Sequence, residues 1–502
     1  MFDLVIKNAN IIDGTGADAY VSDIGIKDGR IEKIAFGLEC ENVIDATGLT
    51  LTPGFIDSHS HSDNALLTFP DLTEKIEQGI TMSVGGMCGD SATPEIKNGR
   101  LETAEEFFNI FENVSYGSGT AIVIGHNTVR RAVMGTENRL ATPEELEKMK
   151  ALLRDSLRAG AIGMSFGLFY IPGCYSDITE CIELAKVVKE EGGLLTSHIR
   201  GESYNLLESV EEYLTIIKAS GCRAVFSHHK SAEKENWGKV KESIAMIEKA
   251  IEEGCDIYLD VYPYVASSTS LRARFVPKKY HPAGTTNAVD LLRNPETRKV
   301  IYDGEKAKWG NNLSFTLVTY YPTHHEYNGL NVNEIADREG VEDRLEMAFR
   351  IITDSDGGAQ GCFFTMCEED VEYVLSYPRA MICTDSSVAR GRTHFHPRTR
   401  ASFIRALAHY TRDRKIVSLP EMVRRMTSLP AHVYGFETKG IIREGMDADI
   451  CIFDYEKLCD VADYKNPTLR NEGLSYVILN GKTVVRDGKY SFVKQARLYR
   501  KK

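Results

Sequence analysis

Two kinds of hydrophobic pattern divide the chain. At both ends, short runs alternate apolar and polar residues between turn dipeptides: FDLVIKNANIIDGTG and DIGIKDGRIEKIA at the start, GIIREGMDADICIFD and LSYVILNGKTVVRDGKYSF beyond about Gly440. Alternation with period two marks a strand with one buried face. KDGR, NGK and RDGK hold the Asp-Gly and Asn-Gly pairs that tight hairpins demand. Both ends therefore predict strands of a small antiparallel sheet, alike enough in style to pair with each other.

Between the ends the pattern changes. Continuous apolar runs, AIVIG from 121, AIGMSFG from 161, LLTSHI from 194, AVFSHHK from 224 and DIYLDVYPY from 256, alternate with helical periods such as TPEELEKMKALLRDSLRAG from 142 and VKESIAMIEKAIEEG from 240. Strands buried on both faces and separated by amphipathic helices predict a parallel sheet with helical crossovers. The helix after Thr142 has a capping Thr, Pro in its first turn and Gly160 at its end, the expected start and stop signals.

About eight repeats of this unit, with His198, His228, Tyr262 and Asp385 at the carboxyl ends of strands, point to a (β/α)8 barrel rather than an open sheet, because barrels gather functional side chains at that face. The expected class is α/β: a TIM-like barrel over 55–435 with a small β-sandwich domain built from 1–54 and 436–502. Residues 272–329, which include FVPKKYHPAGTTNAVDLL and YYPTHHEYNG, lose both periods. They predict an insertion that covers the barrel mouth.

Composition narrows the function more than the fold. A chain of 502 residues accommodates one large domain and one smaller. Its 42% hydrophobic and 26% charged residues are ordinary for a globular protein. A net charge of −12 with no Lys/Arg stripe excludes a nucleic-acid partner, which needs a basic face. Eleven cysteines without C-x-x-C spacing do not form a disulfide framework. With no run approaching the length of a membrane span and no secretory signal at the N-terminal end, the expectation is a cytoplasmic protein without a membrane partner.

The chemistry begins in TPGFIDSHSH, residues 52–61. His59 and His61, two positions apart, project on the same side of an extended strand, which is metal-ligand geometry. Cys88 follows a strand-like run in a Gly-rich loop, and His198, His228 and Asp385 each end an apolar run. One such residue alone is commonly structural. Together they place N, S and O donors on one barrel face, as a zinc site requires. Asp385 has the further chemistry of a proton carrier.

The motifs PGFIDSHSH, GITMSVGGMCG, RAGAIGMSFGLFYIPG, SHHK, YPYVASS, HFHPR, MTSLPAHVYGF and GMDADICIFD occur in the order seen in the amidohydrolase superfamily. Over nearly its whole length the chain resembles the N-acyl-D-amino-acid deacylases (D-aminoacylases) of that superfamily. The resemblance implies the same barrel with a β-sandwich from both chain ends. It implies a tight zinc held by Cys88, His198 and His228, with His59, His61 and Asp385 around a second, weaker metal position. In SHHK it selects His228, directly after the serine, over His229.

The implied substrate is a small N-acyl amino acid. Asp385 would take a proton from water and hand it to the leaving amine. Arg398 of HFHPR would hold the α-carboxylate, as guanidinium groups do bidentately, with Tyr262 and Ser268 as supporting donors and Tyr170 and Lys230 near the substrate. Hydantoinase-like relatives bridge two metals with a carboxylated lysine, and AIGMSFG contains no lysine. That departure favours Cys88 as the substitute ligand over a tight two-zinc centre.

A cyclic-amide hydrolase of hydantoinase or dihydroorotase type, and a non-catalytic barrel scaffold, are the alternatives on the same fold. The first is disfavoured by the missing lysine and the second by the complete ligand set. The D preference comes from the resemblance alone. An acidic side chain on the substrate would need another basic group, for which Arg272, Arg274 and Lys278 are the candidates. His126, His324 and His325 belong to none of the motifs.

Overall fold

The computed structural model describes residues 1–282, 287–389 and 391–501. Residues 283–286, inside the expected insertion, lie outside the described part.

Eight parallel strands form the central barrel. In chain order they are Phe55–Asp57, Ile80–Gly85, Gly119–Gly125, Gly163–Gly167, Leu194–His198, Ala224–Phe226, Ile257–Val261 and Ala380–Ile382, called here the first to the eighth barrel strand. Each pairs with the next. Successive residues divide between two apolar clusters: Ile56, Val84, Val123, Val225 and Met381 join one, whereas Phe55, Ile122, Ile124, Phe226 and Ile382 join the layer shared with the surrounding helices. Burial on both faces is why these strands read as unbroken apolar runs.

The ring closes just beyond the carboxyl ends of its first and eighth strands. Ser60 and Ser386 form a parallel bridge, His61 N donates to Ser386 O at 3.0 Å, and Asp385 N donates to His59 O at 2.9 Å. Fully buried Lys75 reinforces the seam, donating to Asp57 Oδ2 at 2.8 Å and Thr384 Oγ1 at 2.6 Å. The closing hydrogen bonds therefore run through the H-x-H pair and Asp385 themselves.

The outer helices carry the signals their sequences announced. Pro143–Arg158 starts from Thr142, whose side chain accepts from Glu145 N while the Glu145 side chain accepts from Thr142 N. This capping box satisfies two backbone donors that a helix start otherwise leaves unpaired.

Both chain ends share one nine-stranded sheet. It is joined where Thr50–Pro53 runs antiparallel to Ile450–Phe453. The sheet is mixed rather than purely antiparallel. Leu4–Ile11 pairs along one edge with Tyr20–Lys27, while along the other Val43–Asp45 and then Thr50–Pro53 lie parallel to it. Asp28-Gly29, Asn480-Gly481 and Asp487-Gly488 all have positive φ, the backbone of a two-residue hairpin turn with the right twist for its strands. Ile6, Ile24, Leu51, Ile450 and Ile478 fill this domain's own core.

Between the seventh and eighth barrel strands the chain builds a separate layer. Its antiparallel sheet is ordered Ser267–Ser270, Gln360–Phe363, Thr316–Tyr320. Helices including Pro295–Trp309 and Arg344–Asp354 pack with it around Phe275, Trp309, Phe349 and Phe363. The layer thus runs to Phe363, past the expected limit at 329. The reason is physical: Val332–Glu339 and Arg344–Asp354 have the period of barrel helices, and periodicity does not say which core a helix packs on. Among the described residues no helix is long and apolar enough to cross a membrane.

Candidate metal centre and active site

Six donors expected from the sequence arrive at one point on the carboxyl face of the barrel. His59 and His61 leave the first strand, Cys88 follows the second, His198 ends the fifth, His228 lies two residues past the sixth, and Asp385 lies three past the eighth. Cys88, His228 and Asp385 hold φ of +55°, +35° and +45°. Non-glycine residues rarely adopt that left-handed conformation, and its concentration at one locus marks a functional site. The Cys88 loop depends on Gly86, which has φ of +79° and where a Cβ would come within 1.9 Å of Val123 O.

Two donor groups share Cys88. Ligand atoms of His59, His61, Cys88 and Asp385 lie within 4.8 Å of one another, as do those of Cys88, His198 and His228. Cys88 Sγ is 3.2 Å from His228 Nε2 and 3.3 Å from His59 Nε2. Asp385 Oδ1 is 3.1 Å from His61 Nε2 and 3.4 Å from His59 Nε2. His198 Nδ1 is buried without a hydrogen-bond partner, a lone pair free for a cation. Thiolate, imidazole and carboxylate in this number are the donor chemistry of a zinc-type site.

Two acidic residues that no motif singled out orient the histidines. Asp260, fully buried on the seventh strand, faces His59 Nδ1 at 3.3 Å and accepts from His228 N at 2.6 Å. Glu202 Oε1 accepts from Lys230 Nζ at 2.6 Å and lies 2.9 Å from His228 Nδ1. Its other oxygen is 3.6 Å from His198 Nε2. A carboxylate on one ring nitrogen fixes the tautomer that leaves the other free to ligate. Asp260 sits in DIYLDV, where it reads as part of a strand, and Glu202 in a loop with no recognisable spacing. An acid on an otherwise apolar buried strand was the one available signal.

Charge balance within the cluster is tight. Burial works to raise the Cys88 pKa, but His59 and His228 outweigh it and hold the thiol well below its ordinary value. Burial would likewise raise Asp385, yet Arg398, followed by His228, keeps that carboxyl well below the usual range. Burial opposes the charge on His59, His61 and His228, and neighbouring anions overcome it, lifting His61 and His228 to about 9 and His59 well above its usual value. Anionic donors balanced by protonated imidazoles are a set from which a divalent cation displaces protons.

Of the residues expected from the sequence to hold metal, move the proton or contact substrate, all but fully buried His59 line one cavity of about 320 Å³ over this cluster. Arg398 Nη1 donates to Asp385 Oδ2 at 2.7 Å, and its guanidinium lies 4.6 Å from the centre of the Tyr262 ring. Lys230 Nζ lies 5.6 Å from the centre of the same ring, Ser268 lines the cavity too, and Tyr170, in the loop after the fourth strand, packs on His198 with ring centres 4.9 Å apart. The inserted layer contributes Arg274, Gln360 and Phe363. Arg274 is already paired with Glu233 and lies 5.1 Å from the Trp309 ring, whereas Arg272 and Lys278 line a neighbouring cavity instead.

The other histidines are elsewhere. His229 points away, with Nε2 2.7 Å from Ser243 Oγ of the next helix. His126 is buried against Glu180 at 2.7 Å, and His324 pairs with Glu326 in the inserted layer at 3.0 Å.

A family model described as "Amidohydrolase family" matches residues 42–269 and 380–485, which include all six donors. The chain belongs to the amidohydrolase family. Residues 270–379 of this amidohydrolase, most of the inserted layer, are left unmatched by that model. The chain is similar to two proteins of Alcaligenes xylosoxydans xylosoxydans. One is an N-acyl-D-glutamate deacylase, 32% identical over 95% of this chain and 93% of the relative. The other is a D-aminoacylase, 30% identical over 96% and 94%. Among solved structures, it is similar to N-acyl-D-glutamate deacylase from Bordetella bronchiseptica in complex with zinc and a phosphonate inhibitor described as a mimic of the tetrahedral intermediate. That likeness has 32% identity and a TM-score of 0.85 over 99% of each chain.

Proposed function

We propose that this amidohydrolase hydrolyses N-acyl-D-amino acids to a carboxylate and a free D-amino acid, with zinc held by Cys88, His198 and His228 and Asp385 moving the proton. His59, His61 and Asp385 would surround a second, weaker metal position. The observation that carries the reading is Cys88 Sγ at 3.2 Å from His228 Nε2, on the floor of a cavity whose wall carries Arg398, Tyr262, Ser268 and Lys230. The carboxylate-binding groups stand directly beside the metal donors, Arg398 on Asp385 and Lys230 on His228, around a space sized for a small amide.

When bound, zinc supplies Lewis acidity toward the amide carbonyl and a nucleophile from water near neutral pH. The chain supplies the rest. Asp385, kept ionised by Arg398, accepts the proton that the attacking water loses and delivers it to the departing nitrogen. Hydroxide adds to the acyl carbon, the C–N bond then breaks, and the nitrogen, protonated by Asp385, leaves as the amine of the free amino acid. Arg398, whose Nε is buried without a partner, has a donor left for the α-carboxylate of the substrate. Lys230, Tyr262 and Ser268 add positive charge and hydroxyl donors to the same cavity, and Tyr170 packs against the His198 ring.

The D preference follows the relatives' substrates. All eleven cysteines are unpaired thiols, which fits a reducing compartment and a cytoplasmic enzyme.

The test is zinc content together with hydrolysis of N-acetyl-D-methionine and N-acetyl-L-methionine, in the wild type and in Cys88→Ala. Zinc near one per chain, D-selective turnover and loss of both in the variant are expected. Bound metal with turnover of hydantoins but not of acyl amino acids would replace this reading with a cyclic-amide hydrolase, and absence of metal would leave a scaffold.

A further inference from the structure

Beside the catalytic cavity lies a larger one of about 610 Å³. The two share Asp90, Phe169 and Tyr170 as a common wall. The second cavity is also lined by Arg272 and Lys278, which lie between the seventh and eighth barrel strands. Neither the Arg272 guanidinium nor the half-buried Lys278 ammonium has a hydrogen bond or ion pair among the described residues. A third cation on the rim, Arg131, is held by Asp90 at 2.6 Å, so the lining is net positive. Burial pulls the Lys278 pKa down, the mark of a cation without a counter-ion in contact. Arg272 is exposed and Lys278 half-buried, so an anion entering the cavity meets two cations that no carboxylate already holds.

The position of this cavity relative to the reacting bond gives it a meaning. Arg398, Tyr262 and Lys230 approach from the sixth to eighth barrel strands, whereas Asp90, Phe169 and Tyr170 follow the second and fourth, across the barrel. A linear N-acyl amino acid has its α-carboxylate and its acyl chain on opposite sides of the amide. With the α-carboxylate on the Arg398 side, the acyl chain extends toward Tyr170 and the second cavity.

We propose that the Arg272–Lys278 cavity is a subsite for a carboxylate at the far end of the acyl group, so that this enzyme prefers N-acyl amino acids whose acyl half is a dicarboxylic acid. The proposal rests on the deacylase reading above. Hydrolysis of such a substrate adds water across the C–N bond and releases a dicarboxylate and an amino acid, with no other reactant. Arg272 and Lys278 both fall in the segment that the family model leaves unmatched.

The test compares kcat/KM for N-succinyl- and N-glutaryl-D-methionine with that for N-butanoyl-D-methionine, which has no distal charge, using the zinc-loaded enzyme. At least one dicarboxylic substrate is expected to be favoured by about tenfold or more, mainly through KM, as a charge-assisted contact supplies. Lys278→Ala and Arg272→Ala should each erode that advantage while leaving the N-butanoyl rate within about twofold, and Lys278→Glu should abolish it. Hydrolysis of all three substrates at similar kcat/KM would overturn the subsite and leave the deacylase reading standing. An advantage that survives in every variant would overturn the assignment to these two residues. Hydrolysis of none would overturn both readings.

Discussion

Arg398 and Asp385 are each other's partner: Nη1 donates to Oδ2 at 2.7 Å, while Oδ1 of the same carboxylate faces His61 Nε2 at 3.1 Å. The residue expected to hold the substrate's carboxylate therefore also sets the ionisation of the residue expected to carry the proton. Arg398 is the largest influence keeping the Asp385 carboxyl low against burial. Removing that cation raises the pKa, so the carboxylate is protonated at a higher pH. Arg398→Gln is expected to shift the acid limb of the kcat/KM profile upward and to lower kcat/KM by about a hundredfold, as loss of a bidentate anion contact does. The check is a pH profile at saturating zinc, and an acid limb that does not move would separate the two residues functionally.

The two donor groups around Cys88 make different demands on metal binding. His198 belongs only to the group with Cys88 and His228, and His59 only to the group with Cys88, His61 and Asp385. His198→Ala should therefore strip the tightly held metal, and His59→Ala should keep about one per chain after dialysis against a weak chelator. Metal analysis of the two variants decides it. Equal loss in both would make the cluster a single site.

Glu202 touches both the Lys230 ammonium and His228 Nδ1, so its effect is exerted through other residues. Glu202→Gln keeps the shape but weakens the hold on the His228 ring. Zinc affinity is expected to fall about ten- to a hundredfold, the usual cost of losing a carboxylate behind a ligating histidine, and kcat measured with zinc restored to saturation should recover most of its value. A competition assay with a chromophoric chelator reads the affinity. An unchanged affinity would make Glu202 a partner of Lys230 alone.

What the sequence revealed and what it hid have different physical causes. The hairpins at Asp28-Gly29 and Asp487-Gly488 and the barrel strands were legible because turn chemistry and unbroken apolar runs are local properties. The candidate metal donors were legible because each ends or closely follows an apolar strand, and a barrel brings such ends together wherever they fall in the chain. Asp260, Glu202 and the Lys75–Asp57 pair were not, because a buried polar residue gains its purpose from a partner remote in sequence, such as Thr384 for Lys75. The reach of the inserted layer to Phe363 was hidden for the same reason: Arg344–Asp354 has a sound helical pattern, and only its packing on Phe275 and Trp309 shows which core it serves.

A buried network away from the cavity offers a test of the fold that leaves the chemistry alone. Glu180 accepts from Arg130 and lies 2.7 Å from His126 Nε2, and all three side chains are buried. Burial would raise the Glu180 pKa, but His126 and Arg130 outweigh it and hold the carboxyl below its ordinary value of 4.5. A carboxylate with a depressed folded-state pKa contributes stability that is present above the unfolded value and lost as pH falls through the folded one. Glu180→Gln leaves Arg130 buried without its counter-charge, which typically costs about 3–5 kcal/mol. The denaturation midpoint of the variant should fall well below the wild type at neutral pH, and the gap should narrow as pH drops below 4.5. Glu180 does not line the catalytic cavity, so turnover per folded, zinc-loaded molecule should stay within about twofold. A gap that is constant across the acid range would mean that the ionised form of Glu180 contributes nothing to stability beyond what its protonated form does.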